Sequence, residues 1–368
     1  MIKEWRIASA ALIGLSLVAS SGGAKDLSAG LQKGKPDLKS AGPLAFGPGG
    51  ILFIGDTQGA ALFAVDTGDR DASKPGGKIR VENISQAVAD LLGTRPQQVT
   101  INDVVVNPAS GTAYLSVSRG QGPDASPVIL RVGADGKLQE FGLEDVKFAK
   151  ANLPNPVSTE AEARGQKLRG ESITDIAFLD GRVFVAGLSN EEFSSRLLAI
   201  PFPFEDLSEG AGIEIYHGAH GRFETKSPVR TFVTHEIKGQ PHLLAAYTCT
   251  PLVKIPVSEL KPGAHVKGTT IAELGNRNRP LDMIVYQKDG KDFLLLANNS
   301  RGVMKIPTEG ADSTESITSR VEGTKGLAYE TIKGMKGIMQ LDKLDSGHAL
   351  VLVRADSGSL DLETVDLP

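Results

Sequence analysis

Six segments of the chain repeat one pattern of apolar and polar positions. In each, an apolar strand runs into a glycine-containing turn, a second apolar strand returns, and a polar loop leads to a third strand. The first strands lie at residues 43–46, 103–106, 175–178, 231–233, 282–285 and 338–341. Strands at this spacing, with turn residues between them, are typical of all-β repeat folds. The pattern therefore predicts an all-β fold, a six-bladed β-propeller.

The spacing of the repeats also bears on blade number and on how the ring closes. A four-stranded blade takes about 40–50 residues, which favours six blades over seven, the alternative. Two stretches between repeats predict short helical insertions on one face, at residues 84–92, with Asn83 as N-cap, and at residues 159–168. A segment within residues 25–40 is expected to complete the last blade.

The N-terminus reads as a targeting segment. A short charged start precedes an apolar run and a small-residue stretch, which predicts a signal peptide over residues 1–24. The apolar run is shorter than the roughly 20 residues of a membrane span, although an uncleaved anchor is the alternative. We therefore expect residues 25–368 to form a single propeller domain in the periplasm or outside the cell, with no membrane attachment after cleavage.

Charge and cysteine content exclude several classes of partner and cofactor. The formal net charge is −4 and the lysines form no basic stripe, so nucleic acid is not an expected partner. Cys249 is the only cysteine, which excludes an internal disulfide and covalent haem. No phosphate-binding loop is present, so no nucleotide is expected. The partner is predicted to be an unknown small molecule or protein, and the chain to be a monomer.

Three aspartates occupy the same position in their repeats. Asp103, Asp175 and Asp282 each begin the innermost strand of a blade. One interpretation is that each caps its own blade by accepting hydrogen bonds from backbone N–H groups. The other is that they are metal ligands for a cation such as Ca²⁺, which prefers carboxylate and amide oxygens.

Further polar residues are predicted to meet these aspartates on the face that carries the insertions. The predicted ligand-binding residues are Asp56, Asn102, Asn278, Asn298, Asn299 and Arg301. His217 and His220 offer two possible metal ligands, but a Gly-flanked loop favours a structural role for them. Cys249 has no adjacent base in the sequence, so a packed thiol is favoured over a nucleophile. No catalytic residue is predicted.

With these blades in place, the chain resembles the six-bladed, calcium-dependent propeller superfamily of the gluconolactonases (senescence marker protein), paraoxonases and NHL-repeat proteins. The resemblance is carried by Asn102-Asp103 before three valines, and by Asp175 and Asp282, which fall where that superfamily places metal ligands. It implies a cation that polarises a lactone or ester carbonyl. Gluconolactonases open the first blade with Glu-Gly-Pro, whereas this chain has Ala41-Gly42-Pro43, and alanine cannot ligate a metal.

Two functions follow as hypotheses, and the sequence does not decide whether the protein is an enzyme. The first is an exported propeller that binds a ligand or partner on its insertion-bearing face, with a cation in the central channel as an option. The second is a metal-dependent lactonase or esterase-like hydrolase. The missing glutamate at Ala41 favours the first.

Overall fold

The computed structural model describes residues 28, 30–71, 77–163, 165–205 and 207–368. The predicted signal peptide lies outside the described residues, so its cleavage and the export of the chain stay predictions. In the described part of the chain, no helix is long and apolar enough to cross a membrane.

Six β-sheets form the blades of a propeller, which confirms the predicted architecture. We number the blades in the chain order of their innermost strands and give each from the inside outward. Blade 1 contains Leu44–Phe46, Ile51–Asp56, Ala61–Asp66, Val146–Asn152 and Gln32–Gly34. Blade 2 contains Val99–Val106, Ala113–Arg119, Ser126–Val132 and Leu138–Glu140. Blade 3 contains Asp175–Leu179, Arg182–Leu188, Ser195–Pro201 and Ala211–His217, the last pairing with both Arg222–Glu224 and His265–Lys267.

The remaining three blades follow the same plan. Blade 4 contains Val229–Ile237, Gln240–Tyr247, Pro251–Pro256, Thr269–Leu274 and Thr324–Gly326. Blade 5 contains Pro280–Lys288, Lys291–Asn298, Gly302–Pro307 and Glu330–Thr331. Blade 6 contains Ile338–Lys343, His348–Arg354, Leu360–Asp366 and Arg80–Val81. Short 3-10 turns lie at Pro48–Gly50, Pro96–Gln98, Gly122–Asp124, Arg169–Glu171 and Val257–Glu259.

Apolar packing between the blades holds the ring together. A blade is a sheet with two apolar faces, and only its neighbours can cover both of them. Six clusters of buried apolar side chains do this, one at each junction between two blades. The second strand of blade 1, Ile51–Asp56, is accordingly buried along its whole length.

The order of the blades around the ring differs from their order along the chain. The innermost strand of blade 2 contacts those of blades 1 and 6, and the innermost strand of blade 1 contacts that of blade 3. The ring therefore runs 2-1-3-4-5-6. The chain builds the inner part of blade 1, crosses to blade 6, forms blade 2 in the gap, and returns to add Val146–Asn152 to blade 1.

This path corrects the predicted closure of the ring. The last blade is completed by Arg80–Val81, which pairs with Leu362 and Glu363, and not by a segment of residues 25–40. In that N-terminal region, Gln32–Gly34 instead pairs with Val146–Phe148 at the outer edge of blade 1. A two-residue closing strand has too short a pattern to be recognised in the sequence.

Of the two predicted helices, one forms. The helix α1, Ile84–Leu91, buries Ile84 and Val88, which lie one turn apart on one face, against the cluster shared by blades 2 and 6. Asn83 occupies the N-cap position as predicted, although its side chain makes no capping hydrogen bond.

The helix predicted at residues 159–168 is also wrong, because a short hairpin forms there. It pairs Glu162–Ala163 with Gln166–Lys167. Gly165 turns the hairpin with a φ of 76°, which favours glycine. The stretch has helix-forming residues but no apolar face to bury, and isolated helices of this length are marginal.

Candidate functional site

The predicted aspartates lie near the start of the innermost strands, and two of the three follow an irregularity in strand pairing, whereas the pairing at Asp175 is regular. The pairing skips one residue before Asp103 and before Asp282, and likewise before Thr231 and Gln340 in blades 4 and 6. Such β-bulges rotate the strand and re-aim the side chain that follows. We call the face at which the innermost strands begin the insertion-bearing face.

Each aspartate joins two blades through its carboxylate. One oxygen accepts a hydrogen bond from the N–H of the following residue in its own strand. The other accepts from a neighbouring innermost strand: Asp103 from Leu44 N at 2.7 Å, Asp175 from Phe232 N at 2.7 Å, and Asp282 from Leu341 N at 2.8 Å. The capping interpretation is therefore confirmed, with the addition that each cap also bonds the adjacent blade.

A fourth aspartate, which the sequence reasoning missed, does the same. Asp342 accepts from Lys343 N and Val106 N, both at 2.7 Å, and so joins blade 6 to blade 2. It lies two residues further along its strand than the bulge position, which is why alignment of the repeats did not find it. Asp103, Asp175, Asp282 and Asp342 are called the aspartate belt below.

Burial controls the charge of the belt. Burial raises the pKa of Asp175 to about 7 and that of Asp342 to about 6. For Asp103 and Asp282, burial raises the pKa well above its usual range; the charges of other belt carboxylates add to this effect and the backbone donors oppose it. Burial therefore favours the protonated form of each belt carboxyl relative to a carboxyl in water.

The three predicted metal ligands do not gather around one point. Within the described ranges, the side chains of His, Cys, Asp and Glu form one group of three whose ligand atoms lie within 4.8 Å of one another: His217, His220 and Cys249. The belt forms no such group. Its oxygens bond backbone N–H groups instead, and a calcium site there stays a prediction.

Most of the predicted ligand-binding residues stabilise turns. Asp56 is buried and accepts hydrogen bonds from Lys39 N, Ser40 N and Gly59 N. Its carboxylate thereby holds the segment leading into blade 1.

Asn278, Asn298, Asn299 and Arg301 belong to one polar network between blades 4 and 5. Asn298 donates to Asn278 Oδ1 at 2.9 Å, and the Arg301 guanidinium donates to the carbonyl of Asn276. Asn299 accepts from the backbone of Arg279 at 2.8 Å. The network fixes the turn that presents the Arg279 side chain.

Asn102 is the predicted ligand-binding residue that lines a large cavity. The cavity, about 1080 Å³ in volume, opens on the insertion-bearing face above the belt. Asn102, Thr174 and Leu281, each directly before a belt aspartate, are part of its lining. The belt residues themselves line a narrower cavity of about 330 Å³ that continues along the innermost strands of all six blades.

Cations dominate the lining of the large cavity. Two acids, Glu160 and Glu171, face five basic side chains, which are Lys39, Lys167, Arg169, Arg230 and Arg279. The wrongly predicted helix contributes here as the hairpin that carries Glu160 and Lys167. No local pattern in the sequence indicates this cluster, because its members come from four separate stretches of the chain.

The basic side chains are unequally partnered. Arg230 pairs with Glu171, and Arg169 donates to the carbonyls of Gln58 and Val157. Lys39 and Arg279 have no side-chain hydrogen bond or ion pair with any described residue. Burial lowers the pKa of Arg230, and Arg279 lowers it further against the opposing effect of Glu171. Like charges thus remain uncompensated in the cavity.

Comparisons with known proteins assign the chain to no family. The chain matches no protein-family model, and no curated protein matches it. Among solved structures, the PQQ-bound aldose sugar dehydrogenase of Streptomyces coelicolor is 13% identical, with 91% of this chain and 97% of that chain covered and a TM-score of 0.34. A putative oxidoreductase (glucose dehydrogenase) of Thermus thermophilus is 12% identical, with 91% and 100% covered and a TM-score of 0.35.

An arabinanase of Bacillus subtilis is also similar, at 12% identity, with 72% of this chain and 94% of that chain covered and a TM-score of 0.36. None of these three is named as a gluconolactonase, a paraoxonase or an NHL-repeat protein. The six-bladed architecture is confirmed by the blades of the chain itself, and a relation to that superfamily stays a prediction.

Proposed function

We propose that this propeller is an exported binding protein that takes a small anionic ligand, bearing carboxylate or phosphate groups, in the large cavity of the insertion-bearing face. The observation that carries the proposal is the excess of cationic side chains in the lining, five against two acids. Arginine binds both carboxylates and phosphates through paired N–H donors.

The lining is organised for such a ligand. Arg230 is held by Glu171 and donates to Thr248 Oγ1 at 3.1 Å, so its guanidinium has a fixed position. Lys39 and Arg279 keep their charges available. A bound anion would offset the repulsion between Arg230 and Arg279, and this relief of repulsion would favour anion binding.

Calorimetric titration with citrate, succinate and inorganic phosphate tests the proposal, with glucose as the neutral probe. We expect at least one anion to bind with an affinity that falls as salt rises, and glucose not to bind. Lys39→Ala and Arg279→Ala should each weaken binding. The matched control Lys336→Ala removes an exposed lysine outside the cavity and should not. Equal binding by Lys39→Ala and Lys336→Ala, or no binding by any anion, would refute the proposal.

A further inference from the structure

A second site lies between blades 3 and 4, at the end of the outer strand Ala211–His217. His217 ends that strand, His220 follows in the turn, and Cys249 lies in the turn between the second and third strands of blade 4. One potential ligand atom from each of the three lies within 4.8 Å of the others. The topology thus brings together residues that are about 30 positions apart in the chain.

The carboxylate of Glu224 orients both imidazoles. Glu224 Oε2 bonds His217 Nδ1 at 2.9 Å, and Oε1 bonds His220 Nδ1 at 2.7 Å. Ser227 and Arg222 also donate to this carboxylate, which favours its ionised form. An ionised carboxylate only accepts, so Nδ1 of each ring carries a proton and donates it, and in the neutral form of the ring the lone pair is on Nε2. A carboxylate behind a histidine is the usual outer partner of a metal-binding imidazole.

The Nε2 atom of His217 has no partner. The residue is 2% exposed, and no described protein atom hydrogen-bonds this nitrogen. A buried polar atom without a partner is costly and requires an explanation. The two imidazoles lie against each other with centroids 3.8 Å apart, and both bond Glu224 through Nδ1, which leaves Nε2 as the nitrogen not bonded to Glu224 in each ring.

The backbone around the site fixes its shape. The N–H of Gly218 donates to Glu273 Oε1 at 2.5 Å, and a Cβ on Gly218 would lie 2.8 Å from that oxygen, so the close approach requires glycine. On the other side, the N–H of Cys249 donates to the carbonyl of Asn278 at 2.8 Å. Cys249 has a φ of 65°, a conformation uncommon outside glycine and asparagine.

We propose that His217, His220 and Cys249 bind a borderline-soft divalent metal ion, with Zn²⁺ as the best match. Two imidazole nitrogens and a thiolate suit zinc, and hard cations such as Ca²⁺ prefer oxygens. Zn–N and Zn–S bonds are about 2.0–2.3 Å long. Side-chain rotations would therefore bring the three ligand atoms, which lie within 4.8 Å of one another, into bonding distance of one ion. Three protein ligands leave a fourth position open to solvent on the side of His220, whose side chain is 43% exposed.

Cobalt titration of the full chain, after chelator treatment and under a reductant that does not bind metals, tests the site. Co²⁺ substitutes for Zn²⁺ and gives a thiolate-to-metal charge-transfer band when a cysteine is a ligand. We expect the band to saturate at one equivalent and to disappear when Zn²⁺ is added. Cys249→Ser should abolish the band and weaken zinc binding by more than the about 10–100-fold that is typical of changes to outer partners.

Two further variants separate metal binding from folding. Glu224→Gln removes one acceptor for the rings, and we expect zinc affinity to fall about 10–100-fold while the cobalt band remains. His242→Ala removes an imidazole elsewhere in blade 4 and should leave both zinc affinity and the band unchanged. Absence of the band in the wild-type protein, or equal zinc affinity in wild type and a folded Cys249→Ser protein, would overturn the proposal.

Discussion

The aspartate belt and the cluster of His217, His220 and Cys249 both join neighbouring blades, but they differ in how their polar atoms are partnered. In the belt, each carboxylate accepts hydrogen bonds from two backbone N–H groups. In the cluster, one face of the imidazoles is bonded to Glu224 and the buried Nε2 of His217 is left without a partner among the described residues. A row of acidic residues near an axis is therefore weaker evidence for a metal than an unpartnered, oriented donor.

The largest expected effect is on stability in the presence of zinc. At a free zinc concentration of about 100 times Kd, the free energy of unfolding should rise by about 2.7 kcal/mol. Thermal or chemical unfolding should show this shift in the wild-type protein and in Asp103→Ala, and should not show it in Cys249→Ser. Loss of the shift in Asp103→Ala would show that zinc binds at the belt, which would contradict the comparison between the two regions.

Truncation of a belt aspartate should lower the free energy of unfolding by nearly as much as zinc raises it, and this loss should occur without any metal. Asp103→Ala removes the acceptor of Leu44 N and Val104 N, and we expect a loss of about 2 kcal/mol in the free energy of unfolding. Asp356→Ala, at an exposed aspartate outside the belt, is the control and should change it by less than about 0.5 kcal/mol. A neutral Asp103→Ala would mean that the inter-blade hydrogen bonds contribute nothing.

The pH dependence sharpens the same contrast. The folded pKa of Asp175, about 7, lies above the unfolded value of 3.8, so the folded state binds the proton more tightly. Its contribution to stability is therefore complete below about pH 4 and is lost as the pH rises to about 7. The stability difference between wild type and Asp175→Ala should shrink across this window. A difference that grows with pH would indicate a cation bound to the ionised belt.

The smallest effect on stability is expected in the large cavity. Arg279→Ala removes an exposed side chain without a partner in the described structure, so the free energy of unfolding should change by less than about 0.5 kcal/mol. The affinity of the Arg279→Ala protein for the anion should nevertheless fall by roughly tenfold, which corresponds to a loss of about 1.4 kcal/mol in binding free energy. Destabilisation of more than about 1 kcal/mol would show that Arg279 serves the fold instead.

The repeat architecture could be predicted because each blade contains its own pattern of apolar strands and turn glycines. The ring order and the closing strand Arg80–Val81 could not, because they depend on pairing between residues far apart in the chain, such as Val81 and Leu362. The aspartates were found by aligning turns, and their capping role was one of two interpretations. Asp342 was missed because its position in the strand is offset.

The two candidate sites show a similar limit. The sequence shows His217 and His220 as a pair and Cys249 as a separate residue, but nothing in it places the turn of blade 4 beside the outer strand of blade 3. The basic lining of the cavity could not be predicted for the same reason, because its residues are far apart in the chain. Polar side chains collected from several blades carry no local pattern, whereas apolar strands do.

The most direct test is a crystal structure of the full chain soaked with Zn²⁺, with anomalous scattering measured on both sides of the zinc absorption edge. We expect one strong anomalous peak bonded to His217, His220 and Cys249, with the belt carboxylates still bonded to backbone N–H groups. A peak among Asp103, Asp175 and Asp282, or no peak at the cluster at saturating zinc, would contradict this expectation.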